Sequence, residues 1–152
     1  MDTKVSFEDF LKQKSTEKET LLINKEELKK EWIESVYNLY DKIEKWLQPF
    51  EQKNLLTISR NKIITIDEEI GNYEIQQMDI RIGTETIHLV PIARQVIGAK
   101  GRIDMESETG DIKILRYGIG NGTWKFIQKI VKMETWEVNN KSFKIELQNL
   151  AS

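Results

Sequence analysis

Cysteine is absent from this 152-residue chain, histidine occurs once and proline twice. Without cysteine there is no disulfide framework, no thiol nucleophile, no thiolate zinc site and no iron–sulfur cluster. A single imidazole leaves only carboxylate-rich sites open to a metal, so neither a metal nor any other cofactor is expected. Neither sign of charge dominates: 23 Lys and Arg stand against 25 Asp and Glu, for a net charge of −2. The chain thus lacks the basic surplus on which phosphate contacts draw, which argues against nucleic acid while leaving a local patch open. No apolar run approaches the roughly 20 residues that span a bilayer, and Met1–Ser6 begin no signal-peptide core. A cytoplasmic protein with no membrane role is expected.

Catalytic motifs are equally scarce. No serine sits in a Gly-x-Ser-x-Gly elbow. The glycines Gly118, Gly120 and Gly122 lack the Lys-Ser/Thr ending and the spacing of a phosphate loop, and they read as a flexible connection between strands. His88 lies in Thr86–Val90 with no acid nearby, which favours a surface or hydrogen-bonded residue over a catalyst. Asp67, Glu68 and Glu69 form the densest acidic group, but without the fixed ligand positions of an EF-hand they read as a solvated turn. No catalytic residue is assigned, and a non-enzymatic role is expected. Isoleucine occurs 21 times and alanine three times, a bias toward AT-rich codons that points to a bacterial or phage source.

What is present divides the chain by composition. All eight glycines fall between Gly71 and Gly122, and none in the first 70 residues. A helical front and a sheet-forming back produce such a split, within one domain of ordinary size. Residues 1–53 form the helical part, 54–138 the antiparallel sheet and 139–152 a closing element. Two N-terminal helices are expected. The first starts at the cap Ser6, with Val5 stapled on Phe10, and runs to about Lys14. The second starts at Asn24 with Glu27 three residues on, carries Leu28, Trp32, Val36, Leu39, Ile43, Trp46 and Phe50 at helical spacing, and has its end marked by Pro49.

Beyond Leu55 the apolar period becomes two, the signature of strands. A hairpin is expected around Ser59–Lys62, a bulge near Gln76–Gln77 where the apolar phase slips, and a turn at Gly83–Thr84. Ile97, Ala99, Gly101, Ile103 and Met105 share one face of a further strand. The turn at Ser107–Gly110 sets Ile103 against Ile114 inside and Asp104 against Lys113 outside. Thr123–Met133 and Thr135–Val138 complete about seven strands in a curled meander. The end of the chain fits strand or helix, with Asn139–Asn140 able to cap a short helix. The fold class is therefore α+β.

Two surfaces invite a binding role. Gly98 and Gly101 cost a strand stability and so suggest a close approach of something to the backbone. Near them Arg94, Lys100, Arg102 and Arg116 offer a cationic spot beside Trp124, with Asp104 close enough to neutralise part of it. That spot suits a small anionic ligand or nucleic acid, or else Gly101 only makes room for the Arg116 stem. The second surface is the aromatic face of the long helix, with Tyr37, Tyr40 and Trp46 as anchors for a partner. Thirteen aromatic residues, near-neutral charge and the missing catalytic constellations favour a module that covers another protein or a second copy of itself. An accessory or immunity-type protein fits that description.

Overall fold

The computed structural model describes residues 6–129 and 133–152. One helix, α1, runs from Phe7 to Gln52 without a break. Ser6 caps it, its hydroxyl accepting from the Asp9 N–H at 3.1 Å, with Glu8 and Asp9 in the first turn. The expected division into two helices does not occur. Lys12–Thr20 holds neither glycine nor proline and is built from good helix formers, and Asn24 caps a helix only where something has first interrupted it. The staple from Val5 lies outside the described residues. Pro49 does not end the helix either, since it sits within the last turn. Termination belongs to Asn54, at φ 58°, where the Leu55 N–H reaches the Phe50 carbonyl and the Asn54 N–H that of Glu51, both at 3.0 Å. This is a Schellman closure on asparagine.

Seven strands follow in a single antiparallel meander: β1 Thr57–Thr65, β2 Tyr73–Ile82, β3 Glu85–Ala93, β4 Arg102–Ser107, β5 Gly110–Tyr117, β6 Thr123–Lys129 and β7 Met133–Glu137. Each pairs with its neighbours in sequence. The chain closes with α2, Asn140–Ala151, opened by a capping box between Asn139 and Ser142. Expected strand between β6 and β7 falls partly on residues 130–132, outside the described residues. The β4–β5 register is the one the turn dictates, with Ile103 opposite Ile114, Met105 opposite Ile112 and Asp104 opposite Lys113.

Three local expectations are corrected. Ser59–Lys62 is no turn, because β1 runs straight through it and pairs residue for residue with β2 from Thr57↔Arg81 to Thr65↔Tyr73. That pairing contains no bulge at Gln76–Gln77. The phase slip is genuine, since Met78 and Ile80 but also Ile75 and Tyr73 are buried. The β2–β3 ladder stops at Met78↔Leu89, and α1 supplies the missing partners. The Gln76 N–H donates to the Tyr37 hydroxyl at 3.1 Å, and the Tyr40 hydroxyl donates to the Gln76 carbonyl at 2.9 Å. Finally, β4 starts only at Arg102. Val96 and Ala99 bridge each other in a separate tight turn that leaves Ile97 fully exposed.

One face of the sheet carries the core. Trp32, Val36, Leu39, Tyr40, Ile43 and Leu47 of α1 pack with the inward residues of the strands and with Phe143, Leu147 and Leu150 of α2. α1 lies against β1 and β2, and α2 against β3, β4 and β5. The outer face is mixed, setting His88, Arg102, Asp104 and Lys113 among Val90, Leu115 and Ile127.

Candidate functional site

The cations that sequence proximity groups together are held apart by the fold. Arg116 lies on the inner face of β5 with 1% of its surface exposed. Its Nη1 donates to Glu31 Oε1 at 2.5 Å and to the Gly120 carbonyl at 3.0 Å, and its Nε donates to the Lys100 carbonyl at 2.9 Å. The guanidinium stands 5.0 Å over the Trp32 ring. Arg102 instead faces outward and grips Asp104 with two bonds of 2.7 and 2.8 Å, which raise its already high pKa. Arg94 pairs with Glu69 at 3.1 Å. Lys100 alone of the four is exposed with no ion-pair partner among the described residues. Trp124 is buried, tilted against Trp32 at 6.0 Å. Arg94, Arg102 and Arg116 are thus each held by a different carboxylate, and Arg116 is turned into the core.

The glycines nearby explain themselves through α1. A side chain at Gly101 would overlap the benzo ring of Trp32, so this glycine makes room for an indole and not for the Arg116 stem. Gly118–Gly122 is a latch and not a free connection. The Gly120 N–H donates to Glu31 Oε1 at 2.7 Å, and the Asn38 amide donates to Asn121 at 2.7 Å. At Gly122, φ is 53° and a Cβ would come within 2.8 Å of the Arg116 Cγ. Glu31 thus joins a helix, a strand and a loop through one carboxylate.

The aromatic face of α1 is likewise structural. Tyr40 is fully buried, and burial drives its hydroxyl pKa far above the ordinary tyrosine range. Tyr37 is half-buried, with its hydroxyl spent on Gln76, and Trp46 packs on Phe143 at 6.0 Å between ring centres. Over the two tyrosines lies Arg60, bonded to Glu44 at 2.7 Å and Asp41 at 2.8 Å. Tyr40 thus presents no surface to a partner, and Tyr37 and Trp46 are half-buried.

On the outer face, the reading of His88 as remote from any acid is overturned. Asp79 lies directly opposite it, with the carboxylate 2.5 Å from Nδ1. Gln77 and Asn61 also donate to Asp79. Burial pushes the Asp79 carboxyl up, but the hydrogen bonds from His88, Gln77 and Asn61 and the nearby His88 charge outweigh it and hold the pKa below its usual value. An open groove of about 670 Å³ beside His88 is lined by Glu85, Glu106, Glu108 and Asp111. Such an imidazole–carboxylate pair is able to relay a proton. No hydroxyl is hydrogen-bonded to His88, and no three His, Asp or Glu side chains converge as metal ligands, among the described residues.

The remaining surface is the N-terminal half of α1. Every described residue from Phe7 to Asn24 is exposed, and the first buried one is Trp32. Phe7–Leu28 extends about 33 Å at 1.5 Å per residue. Along it the face that enters the core at Trp32 and Val36 continues outward as Leu28, Leu22, Leu11, Phe10 and Phe7, interrupted by Lys25, Lys18 and Lys14. Phe7, Phe10 and Leu22 keep 75%, 47% and 52% of their surface exposed. Ile119, and past it Ile97, are exposed on the loops at the sheet end from which this half of α1 departs. Among the described residues no helix is long and apolar enough to cross a membrane. No protein-family model, curated protein or solved structure matches the chain.

Proposed function

We propose that this is a non-enzymatic interaction module, an accessory or immunity-type protein of a bacterial or phage cytoplasm, that presents the free half of α1 to another protein chain. One observation carries the reading: over about 33 Å of α1 beyond the sheet, two groups of large apolar side chains, Phe7 to Leu11 and Leu22 to Leu28, stand exposed. The apolar side chains of this half gain nothing until they are covered. Exposed groups of large apolar side chains of this kind mark contact sites. The alternative, a site for an anionic ligand or nucleic acid at Arg94, Lys100, Arg102 and Arg116, draws less support, because three of those cations already hold a carboxylate.

A photo-crosslinking residue at Phe10 or Leu22, with one at outward-facing Lys125 as control, tests the proposal in cells. Adducts of defined mass from the first two positions and none from the third are expected. Adducts from all three alike, or from none, overturn it.

A further inference from the structure

We infer that β1, a free edge of the sheet, pairs with β1 of a second copy, antiparallel about a two-fold axis at Asn61. The inference goes beyond the interaction reading above and uses a different surface. The free half of α1 leaves the sheet at the β5–β6 loop, whereas β1 lies at the far edge of the meander.

The edge is open. β1 has β2 as its one neighbour, and among the described residues no backbone bond outside that ladder involves Thr57–Thr65. Tyr37 and Tyr40 reveal which groups face outward. They take the Gln76 N–H and carbonyl, which therefore point away from β1. Lys62, opposite Gln76, then turns its own N–H and carbonyl to the free side, and Ile58, Arg60 and Ile64 do the same by alternation. The two-residue turn Gly83–Thr84 gives the same assignment. It makes Ile82↔Glu85, Ile80↔Ile87 and Met78↔Leu89 the bonded pairs of β2 with β3, which leaves the odd-numbered residues of β2 to bond β1. Over nine residues this edge has no proline, glycine or bulge to blunt it, whereas β7 at the other edge spans five.

The sequence of β1 selects its partner. Outward from Asn61 in both directions come a cation, Arg60 or Lys62, then Ser59 or Ile63, then an isoleucine, Ile58 or Ile64, then a threonine, Thr57 or Thr65. A second copy laid antiparallel sets Thr57 against Thr65, Ile58 against Ile64 and Asn61 against itself, and symmetry repeats each pair, as an isologous contact demands. The outward groups of Ile58 then meet those of Ile64, and those of Arg60 meet those of Lys62, so every free donor finds an acceptor. Ile64, 65% exposed in the single chain, gains the other copy's Ile58, which already packs on the core. Arg60 opposite Lys62 is the one like-charged pair, and carboxylates offset it. Arg60 is held by Asp41 and Glu44, and Lys62 stands 3.9 Å from Glu74. Moving the register by two residues puts Arg60 or Lys62 against its own copy on the axis and an isoleucine against a cation.

Sedimentation equilibrium of the full chain tests this, with circular dichroism and the urea midpoint at high dilution confirming that each variant folds. A dimer is expected. Lys62→Pro removes an outward N–H while leaving the β1–β2 bonds, and should weaken the dimer about 100-fold; Ile64→Lys should weaken it about 10-fold. Register is read independently of both, because the chain holds no cysteine of its own. At a non-hydrogen-bonded pair the Cα atoms stand about 4.5 Å apart, so Asn61→Cys should form a disulfide-linked dimer on oxidation with diamide. Ser59→Cys should not, since its counterpart lies four residues along, but Ser59→Cys and Ile63→Cys combined in one chain should. A monomer at every concentration overturns the inference, as does a dimer indifferent to Lys62→Pro or one that cross-links as readily through Ser59→Cys as through Asn61→Cys. A photo-crosslinking residue at position 64 that yields only a heterologous adduct in cells gives the edge to another chain and also overturns it. None of these outcomes bears on the adducts expected from Phe10 and Leu22, so the two readings fail separately.

Discussion

The two halves of α1 are equally helical and have opposite fates. From Glu31 to Phe50 the helix is fastened at every turn: Glu31 to Arg116 and Gly120, Trp32 against Gly101, Tyr37 and Tyr40 in the gap between β2 and β3, and Asp41 and Glu44 on Arg60. From Phe7 to Asn24 its contacts are with itself and water, as in the exposed Lys12–Glu8 and Lys14–Glu17 pairs. What separates them is aromatic content, two residues against five, not helix propensity. The inner half carries two tryptophans that fill volume and two tyrosines that also supply hydrogen bonds where the sheet lacks them. The outer half carries lysines at the equivalent places. Helix formation is shared, and docking is not.

The comparison is broken most severely where α1 touches β4. Gly101→Val places a branched side chain on the ring of fully buried Trp32, and a destabilisation of about 4 kcal/mol is expected in urea unfolding. Adding Trp32→Ala should return part of that loss, since the two changes share one volume. Next in size is Glu31→Ala. It leaves the Arg116 guanidinium buried without its carboxylate, at a cost of about 3 kcal/mol. The Gly118–Gly122 latch should then open, read as faster amide exchange at Gly120.

These fastenings show what a sequence discloses and what it withholds. The β4–β5 pairing was readable because a four-residue turn fixes the register. The same arithmetic applied at Gly83–Thr84 sets Asp79 opposite His88, so that pair was present in the sequence and went unread. The break expected before Asn24 misjudged a capping signal, which has no effect inside an uninterrupted helix. The Arg116 site was harder. Its inner-face parity was legible, but its partner Glu31 is 85 residues away, and no local rule links an acid on a helix to an arginine on a strand. The same holds for Arg60 with Asp41 and Glu44, and for Gly101, whose partner is a ring and not the neighbouring arginine stem. The aromatic face of α1 was visible, but periodicity does not say which stretch of a stripe the sheet will cover.

A smaller effect tests the outer face of the sheet, remote from α1. The Asp79 pKa is lowered in the folded protein, so its contribution to stability is fully present above the ordinary carboxylate pKa of about 4 and is lost as pH falls through the folded value. Asp79→Asn should therefore cost about 1–2 kcal/mol at neutral pH. The difference from the parent should shrink toward zero in acid. A deficit that stays constant with pH would mean that the charge of Asp79 contributes nothing.

The smallest effect on stability belongs to the free half, and it bears most directly on the contrast. Phe10→Ser and Leu22→Ser remove large side chains that touch no part of the body, so the midpoint of unfolding measured at high dilution should move by no more than about 0.5 kcal/mol. Amide exchange should show the same division: rapid from Lys12 to Leu22, slow from Val36 to Leu47, with the boundary near Glu31 where the first tertiary bonds form. Raising the protein concentration keeps the division in place. If a second copy pairs along β1, exchange at Ile58, Arg60, Lys62 and Ile64 slows as concentration rises, while Lys12 to Leu22, which that copy leaves uncovered, stays rapid. In Lys62→Pro the concentration dependence disappears and neither half of α1 responds. Protection of the outer half that is strong at high dilution would place its stabilising contacts within the single chain, and the division of α1 into a docked and an undocked half would fail.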